Sequence, residues 1–168
     1  YRGSPQITNC SFRGNFATFG GAIANQQQSS PLLTNCSFQD NTGNFGGAIS
    51  NEFNSSPTLT NCSFQGNTAN SGGAVYGFTG DPRFVNCSFS HNTANNRGAA
   101  LYNGLTNSIL TNSVLFGNGG QNTIYNDGGT VTAAYCVIET SETDYIDNGN
   151  NLLVSENPFV SVTYFLSL

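Results

Sequence analysis

Ser4-Pro5-Gln6-Ile7-Thr8-Asn9-Cys10-Ser11-Phe12 returns 26 residues later as Ser30-Pro31-Leu32-Leu33-Thr34-Asn35-Cys36-Ser37-Phe38, and again as Ser56-Pro57-Thr58-Leu59-Thr60-Asn61-Cys62-Ser63-Phe64. A fourth copy runs from Asp81-Pro82 to Asn86-Cys87-Ser88-Phe89. Two decayed copies follow, Thr111-Asn112-Ser113-Val114-Leu115 and Ala134-Tyr135-Cys136-Val137-Ile138. Five copies continue to a second Asn (Asn15, Asn41, Asn67, Asn92, Asn118). In the first four, small residues follow: Gly20-Gly21-Ala22-Ile23, Gly46-Gly47-Ala48-Ile49, Gly72-Gly73-Ala74-Val75 and Gly98-Ala99-Ala100-Leu101. A fixed period of this size means stacked units, each unable to bury its apolar face alone.

The units are strands. Helical repeats need long segments with 3.6-residue periodicity, and Gly, Pro, Asn and Ser clusters interrupt every stretch here. Each unit instead offers three short extended pieces. In Ile-Thr-Asn the aliphatic residue and the Asn share a face; in Cys-Ser-Phe the Cys and Phe do; Gly-Ala-Ile-x-Asn is the third. The expected fold is all-β: a right-handed, single-stranded parallel β-helix of about six coils of 25–26 residues, with three strands per coil. It forms one domain over residues 1–168, regular through 1–126 and degenerate over 127–168.

In-register stacking at about 4.8 Å turns every repeated position into a ladder. Phe12, Phe38, Phe64 and Phe89 should form an inside aromatic stack, continued by Leu115 and Ile138. Asn9, Asn35, Asn61, Asn86 and Asn112 should form an amide ladder on an inner corner, where the second strand turns into the third, because Asn tolerates left-handed backbone and its amide pairs along a stack. Cys10, Cys36, Cys62, Cys87 and Cys136 share one slot. An odd count without C-x-x-C suits neither a disulfide framework nor zinc, so they read as free, buried, small apolar residues, a role that Ser113 fills in the decayed coil.

Charged residues make up 8% of the chain, against about 25% in ordinary domains. There are 4 cations, all Arg, and 25 Asn. Such a surface is polar and neutral, and it cannot neutralise a run of phosphates, which excludes a nucleic-acid partner. No apolar run is long enough for a membrane span. The opening at Tyr1, inside a repeat, reads as an excised or processed piece of a secreted protein.

Candidate chemistry is sparse. The Asn-Cys-Ser tripeptides at 9, 35, 61 and 86 match the glycosylation sequon, but as ladder members they read as structural, leaving Asn54-Ser55-Ser56 as the acceptor in a loop. His91 stands where other copies carry Gly14, Asp40 or Gly66, so it is a turn residue. The acids keep no register: Asp81 lies 41 residues from Asp40 and 29 from Glu52. Facing carboxylate pairs for glycoside hydrolysis are therefore not expected. No cofactor or metal is expected either. The nearest approach to an oxygen-ligand calcium loop is Asp144-Tyr145-Ile146-Asp147-Asn148-Gly149-Asn150, through Asp144 and Asp147, and its spacing fits no motif. The segments before each Pro (Gln26–Ser29, Glu52–Ser55, Gly77–Gly80) and their counterpart Gly104–Asn107 vary while the strands do not. Variation along one edge of a solenoid marks a binding face, with Phe53 and Phe78 as its solvent-facing aromatics.

The pairing of Gly-Gly-Ala-Ile (20–23, 46–49, with Val75 ending 72–75) with Phe-x-x-Asn (12–15, 38–41, 64–67, 89–92) resembles the repeats of polymorphic outer membrane proteins, autotransporter adhesins. It also resembles secreted bacterial right-handed β-helix proteins of the pectin-lyase-like superfamily. The likeness covers roughly residues 1–126. It implies a bacterial passenger segment outside the cell or on its surface, working as an adhesin or stalk and meeting a host or matrix protein or a glycan. A second expectation is end-to-end stacking of copies into a filament, through the last coil ending Val162-Thr163-Tyr164-Phe165-Leu166-Ser167-Leu168. A polysaccharide-degrading enzyme is the third.

Overall fold

The computed structural model describes residues 3–139 and 144–155. The first coil holds β1 (Gln6–Thr8), β2 (Ser11–Arg13), β3 (Phe16–Phe19) and β4 (Ile23–Asn25). Each strand pairs in parallel with its equivalent one coil along: Ile7 with Leu33, Phe12 with Phe38, Phe19 with Phe45, Ile23 with Ile49. Among the described residues this produces sheets of seven, seven, four and five strands, built from the repeats of β1, β2, β3 and β4 in turn. The three expected strands are therefore present, and the first four coils add a fourth, of which β3 is the first example. The chain is a parallel β-helix whose outline closes for five coils; beyond Asp127, among the described residues, only the first two sheets continue.

The core is the inside of that spiral. Leu33, Leu59, Phe84 and Leu110 line it from the first sheet, and Ile49, Val75, Leu101 and Ile124 from the fourth. Through the middle runs the aromatic stack. Phe12, Phe38, Phe64 and Phe89 lie ring on ring at 4.8–4.9 Å, tilted by 5° or less. Leu115 and Ile138 extend the column, as their strand register requires. Phe84 closes it from the side, edge-on to Phe89 at 5.5 Å.

The Gly-Gly corner exists because two coils nearly touch there. A Cβ on Gly47 would sit 2.0 Å from the Gly73 carbonyl oxygen, while the preceding Gly46 turns at φ 74°. No side chain fits the one, and the left-handed backbone favours glycine at the other.

The amide ladders correct the sequence reading. Asn9, Asn35, Asn61, Asn86 and Asn112 do form a ladder, each Nδ2 donating to the Oδ1 one coil back at 2.8–3.1 Å. They lie between the first and second strands, not the second and third, and they face solvent. The cause is local. Strand alternation would point them inward after Ile7 and Thr8, but their φ of 48–55° turns the corner and swings the side chain out. The ladder that is buried is the other one. Asn41, Asn67 and Asn92 are wholly inaccessible, each Nδ2 donating both to the next Asn Oδ1 and to a Phe carbonyl.

Cysteine follows the same pattern of partial agreement. All five are free thiols, and Cys36, Cys62, Cys87 and Cys136 are buried, but Cys10, in the first coil, is exposed. Ser113 replaces the thiol and accepts from the Cys87 N–H at 3.1 Å.

Candidate functional site

The variable loops lie at the corner between the fourth and first sheets. The first two are each pinned by a buried serine. Ser29 Oγ donates to the Gln26 carbonyl at 2.6 Å and Ser55 Oγ to the Glu52 carbonyl at 2.7 Å. Neighbouring loops are also tied together, Gln28 N to Phe53 O at 2.9 Å and Asn54 N to Thr79 Oγ1 at 2.8 Å. Gln27, Gln28, Phe53, Asn54 and Leu105 all carry left-handed backbone, φ 52–64°. That conformation throws their side chains outward.

Phe53 is therefore 60% and Leu105 61% exposed, while Phe78, without a left-handed backbone, is 48% exposed. Between them opens a groove of about 490 Å³ lined by Gln27, Gln28, Phe53, Asn54, Phe78 and Thr79. None of these six ionises. Among the described residues neither Phe53 nor Phe78 stacks on another ring, so their faces remain available to a ligand.

A second aromatic row was not legible beforehand. Phe19, Phe45, Tyr76, Tyr102 and Tyr125 succeed one another at 4.8–5.4 Å down the outside of the corner between the third and fourth sheets. Phe19 stacks on Phe45 and Tyr76 on Tyr102, while Phe45–Tyr76 and Tyr102–Tyr125 meet tilted by 55° and 40°, so in its middle the row is chiefly a packing device. At its far end Tyr102 donates to Asp127 Oδ2 at 2.7 Å, and Arg97 lies over Tyr125. Burial, and then the neighbouring Asp127 carboxylate, push the Tyr102 hydroxyl above its usual range; Tyr76 moves the same way, chiefly through burial.

The remaining candidates sit apart. Asp40 pairs with Arg13 at 3.4 Å on the surface. Glu52 accepts from Gln26 Nε2 at 3.4 Å. Asp144 Oδ2 accepts from the Asn126 N–H, and Asp147 Oδ1 from Gly149 N–H and Asn151 Nδ2. The two calcium candidates thus turn oxygens toward the chain's own amides, and among the described residues no group of three His, Cys, Asp or Glu side chains is placed to hold a metal ion. His91 occupies a turn at φ 55° and is exposed. Burial pushes the Cys36 and Cys136 thiols up; the hydrogen bond to Cys62, and then burial, do the same for Cys87. The sequon asparagines 9, 35, 61 and 86 are accessible, each amide engaged in its ladder. The segment Val162–Leu168, on which end-to-end stacking was expected to rest, lies outside the described residues.

The fourth-sheet corner holds one gap. Asn25 Nδ2 donates to Asn51 Oδ1 at 2.9 Å, and Asn103 pairs onward with Asn126 at 3.2 Å. Gly77 stands between Asn51 and Asn103, so buried Asn51 Nδ2 has no acceptor, and Thr106 fills the vacated space.

Compared with known families, the chain matches a family described as right handed beta helix region over residues 1–159. Neither the curated proteins nor the solved structures gave a match.

Proposed function

Because the chain belongs to the right-handed β-helix family, which fixes the architecture but serves enzymes and binding proteins alike, we propose that it works as a non-enzymatic adhesive segment of a secreted or surface-displayed bacterial protein, with the Phe53–Phe78 edge as its binding face. The single observation that carries this reading is the groove itself. Two open phenyl faces flank uncharged amides and a hydroxyl, on loops that hydrogen-bond to each other before any ligand arrives. Preformed loops lose little freedom on binding. Apolar faces framed by a few fixed polar groups are the usual composition of a recognition site. The extracellular location is supported by the likeness of the Gly-Gly-Ala-Ile and Phe-x-x-Asn repeats to those of displayed passenger segments.

The test is a screen of the purified chain against neutral and acidic glycans and matrix proteins, repeated with Phe53→Ser/Phe78→Ser. Each exposed ring should contribute about 1 kcal/mol. The double variant should therefore bind roughly 30-fold more weakly with an unchanged urea midpoint. Wild-type affinity in the double variant would remove the groove from the account. Hydrolase or lyase turnover of any polysaccharide would remove the non-enzymatic reading.

A further inference from the structure

A different corner of the coil carries a second, chemically distinct site. The slot that holds Phe19 and Phe45 in the first two coils becomes Ser71 and then Arg97, as the strand register shows. A cation thus replaces an aromatic ring at the end of the outer row. Its position is fixed from two directions: the guanidinium carbon lies 4.4 Å from the centre of the Tyr125 ring, and Nη1 donates to the Tyr125 hydroxyl.

Among the described residues the one ion pair joins Arg13 to Asp40, so Arg97 has no carboxylate partner. The nearby Asp127 is held by the Tyr102 hydroxyl. Around Arg97 opens a cleft of about 410 Å³, lined by Ser71, Asn96, Tyr102, Gln121 and Tyr125. These supply neutral hydroxyls and amides. A guanidinium has five N–H donors in a planar fork, and Tyr125 takes one of them. The fork matches the two oxygens of an oxyanion, and charge-assisted bonds of this type are the strong ones. In a chain of net charge −5, a cation held in place without an ion-pair partner among the described residues, and lined by hydroxyls and amides, has one evident complement.

We infer that the Arg97 cleft binds an oxyanion group, a sulfate, phosphate or carboxylate, presented by a polar ligand. This site shares no residue with the Phe53–Phe78 groove and does not depend on what that groove binds.

The chain contains no Trp and 7 Tyr, so its emission is tyrosine emission to which Tyr125 and Tyr102 contribute, and the Arg97 variants show which part of the change belongs to the cleft. Sodium sulfate, sodium phosphate and acetate are titrated alongside glucose 6-sulfate, glucose 6-phosphate and unmodified glucose. A saturable emission change is expected with the anions, absent with glucose, and weakening as sodium chloride rises. Arg97→Gln should raise the dissociation constant by about tenfold or more, Arg97→Lys by less, and Arg13→Gln by nothing measurable. Circular dichroism of each variant establishes that it is folded. Sugar esters binding more tightly than the free ions would identify a ligand-borne group, and equal binding would identify the ion; both support the site. No saturable response to any anion, equal binding of glucose, or full binding by folded Arg97→Gln would overturn it.

Discussion

Replacing Asn67 by Ala should cost far more than replacing Asn61, although both are ladder asparagines six residues apart. Asn67 is wholly buried. Its Oδ1 accepts from Asn41 N and Asn41 Nδ2, both at 3.0 Å, and its Nδ2 donates to Phe38 O at 3.0 Å and Asn92 Oδ1 at 2.9 Å. Alanine removes all four bonds and strips the buried Asn41 N–H of its acceptor. At about 1 kcal/mol per bond, with more for the orphaned donor, the loss is about 4–6 kcal/mol. That is a large share of a whole domain's stability, and it corresponds to a fall of about 10–20 °C in melting temperature for a chain of this size. Asn61 also has two ladder bonds, to Asn35 and from Asn86, but it faces water, which replaces them. Asn61→Gly keeps the φ of 54° accessible, so the expected cost is about 0.5–1 kcal/mol. Urea unfolding followed by circular dichroism measures both. Equal losses, or an Asn67→Ala loss below about 1 kcal/mol, would refute the assignment of the buried and exposed ladders.

Phe64→Ala should cost about 4–5 kcal/mol, because the ring is buried and stacked on both sides; Phe12→Ala, stacked on one side and only half-buried, should cost about half as much by the same unfolding assay. Gly47→Ala should abolish folding, read as loss of the native circular dichroism, since its Cβ would lie 2.0 Å from a backbone oxygen; Gly14→Ala meets open space and should cost about 1 kcal/mol, from its φ of 64° alone. A thiol reagent should label the exposed Cys10 rapidly and the other four only as fast as the chain opens, which mass spectrometry resolves. Cys36 and Cys136 have thiols raised in the fold, chiefly by burial, whereas the hydrogen bond between Cys62 and Cys87 lowers the first to about 7 and raises the second, so that pair offsets itself. Above the unfolded value of about 8.5, Cys36 and Cys136 ionise in the unfolded chain while the native chain keeps those two protons. Their contribution to stability is therefore full below that pH and declines above it, and the urea midpoint should drop between about pH 8.5 and pH 10.

The architecture was legible because side-chain period and repeat period coincide. Phe12, Phe38, Phe64 and Phe89 name their own column, and the register could be read before any coordinates. The asparagines were harder, since two of them recur in each unit and alternation alone places both inward. What separates Asn9 from Asn15 is a backbone angle at the corner, which residue identity permits but does not display. The fourth strand escaped notice because Phe-Ala-Thr-Phe, Thr-Gly-Asn-Phe and Thr-Ala-Asn-Ser share little beyond small polar residues, a composition that also marks turns. The outer aromatic row was hidden for a geometric reason. Its 26-residue spacing breaks where it steps from Phe45 in the third sheet to Tyr76 in the fourth, across the Gly-Gly corner. Phe53 and Phe78 were visible as loop aromatics, but their pairing with Gln27, Gln28 and Asn54 depended on left-handed loops that nothing in the composition announced.

The direction of the amide ladders has a long-range consequence. In the two exposed ladders, Asn9 to Asn112 and Asn44 to Asn95, every Nδ2 points back toward the first coil. In the two buried ladders, running from Asn15 and from Asn25, every amide-to-amide bond runs forward from Nδ2 to the next Oδ1. The forward sense of the first buried ladder is anchored, because each Oδ1 also accepts a main-chain N–H. Aligned amides sum to a macrodipole in an α-helix; here opposed rows cancel. A rod made on this plan can add coil after coil without accumulating partial charge at its tips.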